Sequence, residues 1–142
     1  MNSSEEIKKW AKSIVTLWRS QDIKIEKGAS MQLLSKAEAY LEISFPEPFK
    51  TLYMEANGFK DMDWNEHMFS FWSVERIIEE YDYKRHPNFV GFCDFLINSH
   101  WIGFVKNESG IYKRYDFEGP ERIADNFEDA VDLINTSADV IY

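Results

Sequence analysis

The stretch "FPEPFKTLYMEANGF", residues 45–59, decides how this chain is read. Pro48 suits the first turn of a helix, where the N–H it lacks would have no intrahelical acceptor. Phe49, Leu52, Tyr53 and Ala56 recur at helical spacing and predict a buried stripe. Asn57 and Gly58 tolerate positive φ and predict the helix stop. The residues that follow therefore lie in a loop, and the rest of the chain can be laid out on either side of it.

Upstream, Ser3-Ser-Glu-Glu6 has the spacing of a capping box. Ile7, Trp10, Ile14, Leu17 and Trp18 continue it as an amphipathic helix, with Lys8, Lys9 and Lys12 mainly on the other face. Residues 21–29 are polar with a glycine and read as a connection. From Ser30, the residues Leu34, Ala37 and Leu41 predict a second helix.

Downstream the period changes. "MFSFWSV" (68–74) reads as a strand, and "ERIIEEY" as a short helix. "FVGFCDFLI" (89–97), "HWIGFVK" (100–106) and "IYKRYDF" (111–117) are β-branched and aromatic, separated by Asn98-Ser99 and "NESG" turns. Short connections favour antiparallel neighbours, so these strands predict a meander. Asp125, with Glu128 three residues on, predicts the cap of a last helix whose Phe127, Ala130, Val131 and Ile134 share a face. Helices, then strands, then a helix make the expected class α+β, an aromatic-rich antiparallel or mixed sheet backed by helices. At 142 residues the chain is expected to form one domain, with an N-terminal helix and connection over 1–28 and a core over 29–142.

Composition narrows the function. Hydrophobic residues make up 44% and aromatics 16%, enough to build a core. Cys93 is the only cysteine, which excludes an intramolecular disulfide; its apolar neighbours predict a buried core thiol. The absence of a signal-like h-region and of any long apolar run predicts a cytoplasmic protein without a membrane span. Net charge is −9, unevenly placed. Residues 1–36 carry seven Lys/Arg against four Asp/Glu, while residues 37–142 carry nine against twenty-one. Such a body repels phosphates, so nucleic acid is not the expected partner. A positively charged protein would be attracted to it.

The loop after Gly58 contains "DMDWNEH", residues 61–67. Asp61, Asp63 and Asn65 match the first three ligand positions of a calcium loop. The sixth position, which needs glycine, is Glu66, and the twelfth, which needs a bidentate Glu, is Trp72. No metal is therefore expected. His67, His86 and His100 are scattered, and no recognised nucleophile, phosphate-loop or dinucleotide motif is present, so no catalytic residue and no cofactor is assigned. An Asp63–His67 dyad is the best catalytic arrangement on offer. Two readings of the loop remain beside these. It is a contact surface, with Asp61, Asp63 and Glu66 choosing a basic partner and Met62, Trp64, Phe69 and Trp72 as apolar anchors. Or its tryptophans fold inward and its acids are only solvated. Trp72, on a strand, is the better core residue and Trp64 the better anchor.

The order of "FPEPFKTLYMEANGF", "FSFWS", "FCDFLINSHWIGF", "GIYKRY" and "RIADNFEDAVDLI" resembles the SUKH superfamily, named partly for the fungal Smi/Knr regulators. Phe45-Pro46, Asn57-Gly58 and Ile123-Ala124-Asp125-Asn126-Phe127 occupy its recurrent places, with Phe45 where leucine is usual. The likeness covers residues 29–135. It implies an α+β fold and, for bacterial members, an immunity protein that binds a cognate toxin, often one directed at nucleic acid. It implies no catalytic residues. The alternative it carries is an intracellular scaffold or regulatory module of the Smi/Knr kind. With that resemblance, Asp61, Asp63, Trp64 and Glu66 are the expected partner-binding residues, and the partner is expected to be a basic toxin domain.

Overall fold

The computed structural model describes residues 3–61, 63–116 and 118–142. Five α-helices and two antiparallel sheets make an α+β fold. Helix α1 (Ser4–Ser20) opens on Ser3, whose Oγ accepts the Glu6 N–H as expected of an N-cap. Its buried face is Ala11, Val15 and Trp18, while Leu17 is exposed. Trp18 of the expected stripe is buried and Trp10 and Ile14 pack against the core, so the face is centred a little nearer Ala11 and Val15 than the large side chains suggest. Small Ala11 lets the helix approach closely, and Leu17 falls outside the contact.

The polar stretch before α2 (Met31–Leu41) is not plain connection. Strand β1 (Ile25–Lys27) pairs antiparallel with β2 (Ala56–Phe59). Helix α3 (Glu47–Glu55) runs straight into β2, so Asn57 and Gly58 belong to a strand rather than to a helix stop. Three or four residues are too few to show a period, which is why neither strand is visible locally.

The second sheet is the expected meander. Its order is β3 (Phe69–Phe71), β4 (Phe89–Phe95), β5 (His100–Val105), β6 (Ile111–Arg114), β7 (Glu121–Ala124), with α4 (Val74–Glu80) between β3 and β4. β4 ends two residues before the apolar run does, and β7 adds an edge strand not read from the sequence. A bulge between Gly91 and Cys93 gives β4 one extra residue against β5 and accompanies full burial of both Phe92 and Cys93. Helix α5 (Phe127–Thr136) is capped by Asn126, which accepts the Asp129 N–H; Asp125 instead pairs with Arg122.

One face of the sheet is the core. Phe92 of β4 lies 5.2 Å, centroid to centroid, from Phe104 of β5 and from Phe127 of α5. Phe49 of α3 packs edge-on against Phe104 and Phe127. Trp18 of α1 packs on Phe59 and Phe71 and donates its indole N–H to Asn135 in α5. The N-terminal helix is therefore pinned to the same apolar cluster as the rest of the chain. Across the other face, register aligns Ser70, Asp94, Trp101 and Arg114 on four successive strands. Among the described residues no helix is long and apolar enough to cross a membrane.

Candidate contact surface

The loop after β2 is built by its own acids and amides. Asp63 accepts the backbone N–H of Lys24 at 2.5 Å and that of Trp64 at 3.0 Å. Asn65, buried, accepts the N–H groups of His67 and Phe69, both at 3.0 Å. The Ser70 hydroxyl donates to the Asp63 carbonyl. The carboxylate and amide at two of the calcium-like positions are thus committed to holding the turn. Among the described residues, no group of three His, Cys, Asp or Glu side chains is placed to hold a metal. His67 lies 3.4 Å from Glu66 rather than in a pair with Asp63. Of the four expected contact residues, Asp61 and Glu66 are exposed, Trp64 is half-buried, and Asp63 is half-buried and structural. Met62 lies outside the described residues. Phe69 and Trp72 are core residues.

Two exposed apolar residues lie on the turn bonded to this loop. The Leu96 N–H donates to the Met68 carbonyl, tying the loop to the turn between β4 and β5. Leu96, Ile97 and Asn98 all have left-handed backbone, with φ of 48°, 53° and 65°. A β-branched residue rarely adopts that conformation. The turn is held open by Asp94, which accepts the Asn98 N–H at 2.7 Å and the Trp72 indole N–H at 2.6 Å. Its apolar side chains consequently stand in solvent, Leu96 46% and Ile97 62% exposed. Both belong to the apolar run 89–97 expected as a strand, but β4 ends at Phe95. The one signal for them is the Asn98-Ser99 turn beginning immediately afterwards.

A broad concavity lies at the opposite end of the sheet, where β5 turns into β6. It has a volume of about 890 Å³ and runs between the end of α2 and the start of α5. Glu38, Glu42, Glu108, Asp125 and Glu128 line it against a single lysine, Lys106. These acids come from three separate segments, the end of α2, the β5–β6 turn and the start of α5, so the local sequence does not group them. Glu38 also accepts the Phe45 N–H at 2.8 Å, fixing the entry to α3.

Two other reactive groups, Cys93 and His100, are enclosed. Burial, followed by the neighbouring Asp94, pushes the Cys93 thiol well above its ordinary value. His100 is buried against the Ile141 carbonyl, 2.8 Å from its Nε2, and burial lowers its pKa.

Residues 28–133 match the SMI1 / KNR4 family (SUKH-1). The chain belongs to that family. No curated protein matches it. In this SUKH-1 chain the Asn57-Gly58 pair is a clamp. Asn57 accepts the Val74 N–H at 2.8 Å and donates to Glu75 at 2.8 Å, so β2 caps α4. Gly58 has φ +73°, and a Cβ there would lie 2.5 Å from the carbonyl carbon and oxygen of Trp72. Only glycine permits that approach. Helix α1 precedes the matched residues, yet its Trp18 is buried in the SUKH-1 core.

Proposed function

We propose that this SUKH-1 chain is an immunity-type binding protein, which neutralises a cognate nucleic-acid-targeting toxin by direct contact in the cytoplasm. SUKH domains are commonly immunity proteins. The observation that carries the reading here is the cleft at the β5–β6 end, lined by Glu38, Glu42, Glu108, Asp125 and Glu128, with Lys106 in its wall and Arg122 bonded to Asp125 beside it. A toxin that handles nucleic acid needs a basic face for phosphates. An acidic concavity attracts such a face over distance and speeds the encounter. Binding of this kind requires no catalysis by the chain. At the other end of the sheet, Asp61, Asp63, Trp64 and Glu66, with Leu96 and Ile97, form a second contact region in this reading. It carries exposed acids, Asp61 and Glu66, and exposed apolar side chains, Leu96 and Ile97, the two types of group that interfaces use for steering and anchoring.

The test begins with capture of the tagged protein from its native cells at low salt, followed by mass spectrometry. A stoichiometric basic partner with a toxin-like domain is expected. Recovery of envelope-assembly or signalling proteins alone would instead favour a Smi/Knr-like scaffold. With the partner in hand, two charge-reversal pairs separate the surfaces: E42K/E108K for the cleft and D61K/E66K for the loop. At least one pair should weaken binding by about tenfold or more, with a loss that shrinks at high salt. Wild-type affinity for both pairs, with the fold intact, would refute the acidic-contact reading.

A further inference from the structure

Arg114 is the last residue of β6, on the sheet face turned away from the core. Register sets it beside Trp101 of β5. Its guanidinium lies over the Trp101 ring, 4.5 Å from the centroid, and over the Phe89 ring at 4.9 Å. The flat cation is stacked on two aromatic faces and is only 9% exposed as a residue. Nη1 lies 3.1 Å from His86 Nε2. Because a guanidinium only donates, His86 accepts there through an unprotonated Nε2. Nε is buried with no hydrogen-bond partner. No ion pair joins Arg114 to a carboxylate among the described residues. A buried arginine held this way is an incomplete arrangement, since buried charges are normally paired.

Cavities of about 180 and 530 Å³ flank the guanidinium, both lined by Arg114, His86, Phe89 and Asp116. Gly91 helps keep the smaller one open, since a Cβ there would meet the Trp72 and Phe89 rings at 3.3 Å. The nearby acids do not complete the site. Asp82 is engaged by Arg85 and by the N–H groups of Lys84 and Arg85. Glu80 lines the smaller cavity and Asp116 lines both; Asp116 favours the charge on Arg114 from a distance but does not reach ion-pair range of it.

We propose that this pocket binds a carboxylate, seated on Arg114 between the 82–88 segment and Asp116, Glu118, Gly119 and Pro120. A planar monoanion can accept from the guanidinium N–H groups that His86 leaves open. The surrounding Glu80, Asp82 and Asp116 disfavour a dianion such as phosphate. The smaller cavity holds a carboxylate on a short stem, whether from a small free acid or from an Asp or Glu side chain of another protein. The proposal goes beyond the immunity reading and needs no toxin to test.

The experiment is a titration of the ¹⁵N-labelled full chain with sodium acetate, chloride being exchanged to hold ionic strength. The Arg114 Nε–H and Trp101 indole signals are followed. Saturable shifts with a dissociation constant on the order of 10 mM are expected, with weaker ones from phosphate and none from acetamide. Arg114→Lys keeps the charge but loses the fork, and should weaken acetate binding about tenfold or more. The wild-type comparison of acetate with acetamide stands even if that variant fails to fold. A terminally blocked peptide with one glutamate distinguishes the sources. Tighter binding than acetate assigns the pocket to a protein carboxylate, and equal or weaker binding assigns it to a small free acid. Absence of saturation by acetate, or equal shifts from acetamide, would overturn the proposal.

Discussion

Asn57 offers the sharpest test of how this fold is held. Its side chain is buried and makes two hydrogen bonds at 2.8 Å, accepting from Val74 and donating to Glu75. Asn57→Ala leaves the Val74 N–H at the start of α4 without its acceptor and opens a small void. A buried donor left unsatisfied costs about 1–3 kcal/mol, and the lost volume adds to it, giving about 3 kcal/mol in all. That is a large part of the roughly 5–15 kcal/mol that holds a domain together. For a chain of this length it corresponds to a fall in Tm of about 10 °C. Urea unfolding followed by tryptophan fluorescence reads it directly, as a lower midpoint at unchanged slope. A second variant isolates the geometry. Asn57→Asp keeps the acceptor for Val74 but sets a carboxylate against Glu75, so it should also destabilise at pH 7. Adding Glu75→Gln restores a donor and should recover much of the loss. The clamp is refuted if Asn57→Ala stays within about 0.5 kcal/mol of wild type, or if the double variant is no better than Asn57→Asp.

Three further outcomes follow from the geometry. Ile97, β-branched at φ +53°, should be improved by Ile97→Asn, by about 1 kcal/mol in a thermal melt, because asparagine tolerates that backbone; a lower Tm would contradict the strain. Cys93, fully buried with its thiol pushed up, should resist an aromatic disulfide reagent at pH 8 until urea unfolds the chain, so prompt reaction of the native protein would be decisive against it. His86 and His100 both have pKa values lowered, chiefly by burial, from an ordinary 6.5. In the folded chain they bind fewer protons than in the unfolded one, so their contribution is complete above 6.5 and lost as pH falls through and below it. Urea midpoints should therefore drop between pH 7.5 and 5.5, and His100→Gln should flatten that drop; an unchanged slope would assign the effect elsewhere.

Much of this architecture is legible in the order of residues. The faces of α2 and α5, the Phe49, Leu52 and Tyr53 stripe of α3, the meander, and the burial of Cys93 and Trp72 all follow from periodicity and turn chemistry. The likeness to the SUKH superfamily rests instead on the order of the motifs, and the family match over residues 28–133 agrees with it. The short β1–β2 ribbon does not follow, since three or four residues become a strand only when a partner supplies the other half of each hydrogen bond. Asn57 and Gly58 carry the same lesson. Their tolerance for turns is local, but their use as a clamp depends on Trp72, Val74 and Glu75 arriving beside them.

The candidate sites divide along the same line. Sequence alone determined that an acidic loop follows β2 and that the charge lies in the body of the chain. Only tertiary structure decided that Asp63 and Asn65 face backbone N–H groups rather than a metal, leaving Asp61 and Glu66 exposed. It also gathered Glu42, Glu108 and Asp125 into one cleft, and set Arg114 against Phe89 and Trp101. A carboxylate or a guanidinium can serve a backbone, an ion or a partner equally well. Which one it serves depends on what the fold brings within about 3 Å of it, and that distance is set by strand register and helix packing.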